Sequence, residues 1–291
     1  MRATVRRALD FRGVGLHSGR AVRLRVSPAA AHYGIWFKRT DLRGIDPMIP
    51  AAWDAVADTR LCTRLANRDG ATVGTVEHVM AALAGAGIDD ALIEVDGPEA
   101  PILDGSSRLV SEAIAAGGLA RSEGARRRLR ILEPVEVRDG ARLARLEPAS
   151  RFEIDVEIAF PEPAIGRQRV ALALGPGAFR AELAACRTFC RAGEVEAMRA
   201  AGLARGGGLE NAVVVDGDRV LNPEGLRRRD EFVRHKALDV VGDLALAGAP
   251  ILGRYVGVRT GHEMTNRLLR ALFAQPQAWR SELIEEAAAA A

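Results

Sequence analysis

Cysteine is scarce in this chain of 291 residues: three in all, at positions 62, 186 and 190. A number that small and odd builds no disulfide framework, so a reducing compartment, the cytoplasm, is expected. Aromatic residues make up only 4%, with two tyrosines, Tyr33 and Tyr255. Neither adjoins the basic runs Arg126-Arg127-Arg128 and Arg227-Arg228-Arg229. A basic groove interleaved with stacking aromatics is therefore missing, which argues against nucleic acid as a partner. Those runs read as solvated, linker-like stretches. No apolar run approaches the ~20 residues of a membrane-spanning helix, and the stretch from Met1 to Arg12 lacks the apolar segment of a signal peptide. Lysine is nearly absent, with Lys38 and Lys236 alone, so arginine carries almost all the positive charge of a chain whose formal net charge is +3.

What is present is an ordinary globular composition, 48% apolar and 27% charged, long enough for one large domain or two of common size. Val22 to Val26 alternates like a half-buried strand, and Gly34 to Phe37 is its expected neighbour. A helix is expected from Val76 to Ala86, ended by Gly85-Ala86-Gly87, followed by a strand from Ala91 to Val95 and a helix over Ser107 to Ala116. The stretch from Gly117 to Arg128, rich in Gly, Ser and Arg, reads as a domain boundary. Beyond it strands are expected at Arg130 to Leu132, Val135 to Val137 and Phe152 to Ile158. A long amphipathic helix follows over Glu231 to Ala247, then a strand region from Ala249 to Val258 and a helix from His262 to Phe273. The two halves share a strand–helix–strand–helix layout with no residue-level repeat. Ala287 to Ala291 is expected to fray.

Three separate segments carry metal-ligand residue types. In His235-Lys236-Ala237-Leu238-Asp239, continuing to Asp243, helical spacing puts His235, Asp239 and Asp243 in one row. A surface ion pair is the ordinary meaning of such spacing. Here, however, the carboxylates fall among Phe232, Val233, Leu238, Val240, Val241 and Leu244, and burying two carboxylates is costly unless cations meet them. A metal for Asp239 and a histidine for Asp243 would resolve both. His78 is the natural third ligand, with Glu77 beside it as a base that need not touch the metal. Two His and one carboxylate with an open position suit catalytic zinc, and iron(II) accepts the same donors. His262, after Gly261, would have its proton affinity raised by a carboxylate such as Asp243, which suits it to stay cationic beside developing negative charge.

These segments occur with Gly13-Val14-Gly15-Leu16-His17-Ser18-Gly19, Leu61-Cys62-Thr63, Pro101-Ile102-Leu103-Asp104-Gly105-Ser106, Arg187-Thr188-Phe189 and the stretch from Asn211 to Asn222. Together they resemble the UDP-3-O-acyl-N-acetylglucosamine deacetylases, the zinc amidases that commit bacteria to lipid A synthesis, over essentially the whole chain. The resemblance implies an α+β fold of two similar domains, each a sheet layer packed on a helix layer, with the active site at the domain interface. The domains would be 1–122, with an insert near 39–60, and 127–291, with an insert near 191–209 that forms an apolar passage for the acyl chain. It implies metal ligation by His78, His235 and Asp239, and catalysis by Glu77, Thr188, Asp243 and His262. Substrate contacts would come from Lys236 near the diphosphate, turned away from the metal, and from Phe189, Cys62, Met198 and Leu203. A related zinc amidase acting on another acylated amino sugar is the alternative. A monomer is expected, with transient membrane-surface contact at most. Val195, Met198, Ala201 and Leu203 lie at roughly helical spacing. If Cys186 to Cys190 is extended, Cys186, Thr188 and Cys190 face one way, and thiol reagents should slow the enzyme. Arg60 is expected near the passage.

Overall fold

The computed structural model describes residues 1–284; the expected fraying at Ala287 to Ala291 lies outside them. In chain order the first half contains β1 (Arg2–Val5), β2 (Leu9–Val14), β3 (Ala21–Pro28), β4 (Ile35–Arg39), β5 (Met48–Pro50), β6 (Val56–Asp58), β7 (Arg64–Ala66), β8 (Thr72–Val73), α1 (Glu77–Ala86), β9 (Ala91–Val95), α2 (Arg108–Gly117) and β10 (Leu119–Ser122). The second contains β11 (Arg127–Ile131), β12 (Val135–Asp139), β13 (Arg142–Glu147), β14 (Glu153–Ala159), β15 (Arg167–Ala173), α3 (Ala178–Glu182), β16 (Phe189–Arg191), α4 (Ala192–Ala200), β17 (Val213–Asp216), β18 (Arg219–Val220), α5 (Glu231–Ala245), β19 (Ile251–Leu252), β20 (Arg254–Val258), α6 (His262–Phe273) and β21 (Trp279–Leu283).

Each half is built on a five-stranded sheet, ordered β2-β3-β9-β4-β5 in one and β12-β13-β20-β14-β15 in the other. The pairing directions correspond as well. In both sheets the central strand runs parallel to one neighbour and antiparallel to the other. The fold is α+β, with two similar domains. Strand β3 shows why a half-exposed sheet forms: its burial alternates along its length, with Val22, Leu24 and Val26 inward, the period-two pattern of a strand with one wet face. Its expected partnership with the Gly34 to Phe37 segment is not formed. β9 lies between β3 and β4, because it arrives later in the chain and takes the central place, with Ala91, Ile93 and Val95 buried.

The helices face inward. Helix α1 packs on α5, and α2 and α6 flank that pair, so two helix layers meet between two sheets. Helix α5 is buried on nearly its whole circumference, as a helix between two layers must be. The closeness depends on Gly242: a Cβ there would stand 2.0 Å from the carbonyl oxygen of Glu77. Helix α1 ends at Gly87, whose φ of 72° lets its N–H reach Ala84 O while Ile88 N–H reaches Leu83 O, the left-handed closure that glycine adopts at least cost.

The stretch expected as a bare boundary contains β10, which pairs antiparallel with β1. Within 39–60, β5 is the edge of the large sheet, and a separate three-stranded sheet, β6-β7-β8, spans 56–73. The basic runs are less solvated than expected. Arg126 bonds Asp89, Arg128 bonds Glu282, and Arg227 bonds Asp104 and the Ala185 carbonyl.

Candidate active site

Thr75 opens the site. It is buried, with φ of 53°, a backbone region that a β-branched residue enters only when its surroundings demand it. The demand comes from Glu99, whose carboxylate accepts from Thr75 Oγ1 at 2.8 Å and from the main-chain N–H groups of His17 and Ser18. This knot pins the residue pair at the start of α1, Glu77 and His78, which are 3% and 7% exposed. Ser107 Oγ also donates to the His78 carbonyl at 2.7 Å.

From the opposite helix come His235 and Asp239, one turn apart. His235 Nε2 lies 3.4 Å and His78 Nε2 3.6 Å from Asp239 Oδ1, and one ligand atom from each of the three lies within 4.8 Å of the others. His235 donates from Nδ1 to the Cys186 carbonyl at 3.1 Å, since a carbonyl can only accept, which leaves the Nε2 lone pair aimed at the cluster. Burial pushes the His235 imidazole down to about 3, so it is a neutral ligand. Asp239 Oδ1 is buried and has no hydrogen-bond partner. Burial opposes its ionisation, but the cationic Lys236 and His262 nearby more than offset this and hold its carboxyl well below the usual range. A lone-pair nitrogen facing an orphaned carboxylate oxygen in a buried site calls for a cation. These residues fit a divalent metal.

Around this cluster, burial raises the Glu77 carboxyl above its ordinary value despite the opposing pull of His262 and His78. His262 Nδ1 donates to Asp243 Oδ2 at 2.8 Å. Burial alone would lower its proton affinity, and Asp243 reverses the sign, raising it to about 9. Thr63, which the sequence reading passed over, links the two: its N–H donates to Glu77 Oε2 at 3.0 Å and its Oγ1 to Asp243 Oδ1 at 2.6 Å. The Leu61-Cys62-Thr63 block is the only signal in the sequence, and it gives no reason to favour Thr63 over Cys62.

Lys236 departs from expectation. Its ammonium donates to Asp239 Oδ2 at 2.9 Å instead of pointing away from the metal ligands, because burial leaves the charge with no better partner nearby. It also lies 5.6 Å from the centre of the Phe189 ring, which packs against Phe160, Phe232 and His235. Arg187 anchors this segment, buried to 1% exposure and paired with Glu231 at 2.9 Å and with Glu224.

Thr188, Phe189, Cys190, Val195 and Met198 line an apolar cavity of about 290 Å³ with Leu61 and Leu209 at its exposed rim. Cys62 and Leu203 line a neighbouring cavity of about 170 Å³. His17 borders both; its Nδ1 accepts from Ala204 N–H at 3.4 Å, and its Nε2 is buried and unpartnered. Helix α4 stops at Ala200, so Ala201 and Leu203 do not continue its apolar face. Cys186 does not share a face with Thr188 and Cys190. The strand begins only at Phe189, and the buried Cys186 thiol contacts Glu182 O within a turn. Arg60 projects into solvent paired with Asp58, with its side chain 87% exposed.

A family model described as UDP-3-O-acyl N-acetylglycosamine deacetylase matches residues 2–274 of this chain. Among similar proteins is a UDP-3-O-acyl-N-acetylglucosamine deacetylase of Phenylobacterium zucineum, 53% identical over 97% of both chains. Another, of Anaeromyxobacter dehalogenans, is 50% identical over 95% of this chain and 89% of its own. A third, of Shewanella woodyi, is 46% identical over 95% of this chain and 91% of its own.

Proposed function

The chain belongs to the UDP-3-O-acyl N-acetylglycosamine deacetylase family, and we propose that it hydrolyses the 2-acetamido group of UDP-3-O-acyl-N-acetylglucosamine, releasing acetate in the committed step of lipid A synthesis. The observation that carries this reading is the convergence of His78, His235 and the orphaned Asp239 Oδ1 beside Glu77 and His262. The relatives named above share one substrate in their names, which favours it over another acylated amino sugar.

His78, His235 and Asp239 would hold the metal. Zinc is assigned from two imidazoles and one carboxylate, and iron(II) accepts the same donors. Such an ion supplies Lewis acidity, polarising the amide carbonyl and making a water easier to deprotonate. Glu77, its proton affinity raised by burial, takes the proton from the attacking water. The Thr188 hydroxyl donates to the oxygen that becomes negative. His262, held as an imidazolium by Asp243, faces the same charge and protonates the departing amine. Thr63 keeps Glu77 and Asp243 in register from between them. Lys236 fixes Asp239 Oδ2, and its ammonium, above Phe189 at the edge of the apolar cavity, is available to an anionic substrate group. The acyl chain takes the cavity lined by Phe189 and Met198, with Cys62 and Leu203 in the space adjoining it.

We assign the domains to residues 1–122 and 127–291, and the protein to the cytoplasm as a monomer. Among the described residues no helix is long and apolar enough to cross a membrane. Leu61 and Leu209, exposed at the cavity rim, supply a surface for transient contact with the lipid from which acyl chains exchange. Metal stoichiometry measured together with acetate release from UDP-3-O-acyl-N-acetylglucosamine tests the proposal. One equivalent of zinc with no acetate released would overturn the substrate assignment; acetate released at full rate without metal would overturn the metal.

A further inference from the structure

The C-terminal ends of α1 and α5, away from His78 and His235, border a cavity of about 360 Å³ that the hydrolysis does not use. Its walls are largely apolar, with Trp36 from β4, Phe152 before β14, and Val241 and Leu244 from α5. That volume falls within the roughly 300–1,000 Å³ of sites that hold small molecules. It continues into a second space of about 630 Å³, the two sharing Arg126, Gly175 and Phe179 among other residues.

This second space differs in chemistry. Arg121, Arg126 and Arg180 line it, and no carboxylate does. Arg126 is paired with Asp89 at 2.8 Å, whereas the side chains of Arg121 and Arg180 make no ion pair among the described residues. Ser111, 6% exposed, lines the same space with its Oγ buried and without a partner. An unsatisfied buried hydroxyl costs about 1–3 kcal/mol, and guanidinium groups match the geometry of carboxylate and phosphate oxygens.

We propose that these joined spaces bind a single-chain anionic amphiphile, with its hydrocarbon between α1, α5 and β4 and its head among Arg121, Arg126, Arg180 and Ser111. Three guanidinium groups against one carboxylate select an anion over a neutral molecule. One apolar compartment of about 360 Å³ has room for a single chain rather than the two of a diacyl lipid. Because the site is lined by both halves of the protein, its occupant bears on the same helix pair that carries the reactive groups.

Calorimetric titration with myristate, dodecyl phosphate and inorganic phosphate tests this on the full-length protein. The double variant Arg121→Glu/Arg180→Glu removes unpaired surface charge, and Gly175→Leu fills the junction, where an added Cβ meets nothing within 4 Å. Thermal melting confirms that both variants fold. The parent should bind one equivalent of an amphiphile saturably in these spaces, besides any taken up by the cavity of Phe189 and Met198, and each variant should weaken the former by at least about fivefold, the scale of a lost charged contact. Tighter binding of dodecyl phosphate than of myristate makes the head a phosphate, and the reverse order makes it a carboxylate. Inorganic phosphate alone should bind at least about tenfold more weakly than either, for want of the buried chain. Met198→Trp, which crowds that other cavity, should remove only the latter binding and leave the equivalent weakened by Arg121→Glu/Arg180→Glu intact. The proposal fails if no saturable binding is found, if either variant weakens binding by less than that fivefold, or if Met198→Trp is the variant that removes it.

Discussion

At the scale of single residues, the site separates metal binding from proton transfer. Glu77 touches neither His235 nor Asp239 in any recorded hydrogen bond and receives one from Thr63 N–H. Glu77→Gln keeps an acceptor for that bond, so the variant should retain its metal while losing turnover by roughly 10²–10⁴-fold, the usual worth of a general base. His78→Ala should lose both, and metal analysis of the two purified variants checks the distinction. The His262–Asp243 pair should set the alkaline limit of the proposed reaction. Because the folded proton affinity of His262 is raised to about 9, above the ordinary imidazole value of ~6.5, the active cation persists through neutrality and is lost as pH rises through about 9. The same sign governs stability of the metal-free protein. The pair's contribution, on the order of 3 kcal/mol, is complete below pH ~6.5 and vanishes above the folded value. Asp243→Asn should shift the alkaline limb of the pH–rate profile to lower pH; an unmoved limb would refute the assignment. Cys190 is half-buried in the apolar cavity, and burial raises its thiol, so maleimide labelling should be slow and should raise KM more than it lowers kcat. Unaltered kinetics after complete labelling would remove it from the passage.

His78, His235 and Asp239 were legible as a cluster that could hold a metal because helical spacing and scarcity of histidine constrain them. Thr63 was not, since it owes its place between Glu77 and Asp243 to a neighbour far away in sequence.

At the scale of elements, α1 and α5 govern the geometry, and their approach rests on Gly242. Its Cβ in Gly242→Ala would meet Glu77 O at 2.0 Å, rigid backbone that cannot step aside. Destabilisation at or above the ~1–3 kcal/mol of an overpacked core is expected, along with lost activity, because Glu77 must move. The comparison is Gly193→Ala in α4, whose Cβ meets nothing within 4 Å; urea midpoints should rank Gly242→Ala as far the worse. Helices α1, α5 and α6 could be placed from apolar periodicity and glycine stops. The neighbour of β3 could not, because alternation reports which face is buried and says nothing of which later strand will claim the centre of the sheet.

At the scale of the whole molecule, the proposed metal donors come from both halves, His78 from one and His235 with Asp239 from the other. Binding therefore joins the two domains, and an ion that binds only the folded chain stabilises it by about 4 kcal/mol at a thousand times its Kd. Stripping the metal with a chelator should lower Tm by several degrees or more, and readdition of zinc should restore it; an unchanged Tm with metal demonstrably absent would contradict a bridging site. The shared sheet order of the halves escaped the sequence because a strand asks only for alternating burial, which many unrelated residue strings satisfy, so common descent can persist in topology after it has faded from the letters.

Donors divided in this way act as a safeguard during synthesis. A nascent chain that has emerged only as far as α1 and β10 already carries its base and one imidazole, yet it has no vessel in which to use them. On the proposed reading, hydrolysis would have to await the docking of α5 and α6, which supply the remaining groups.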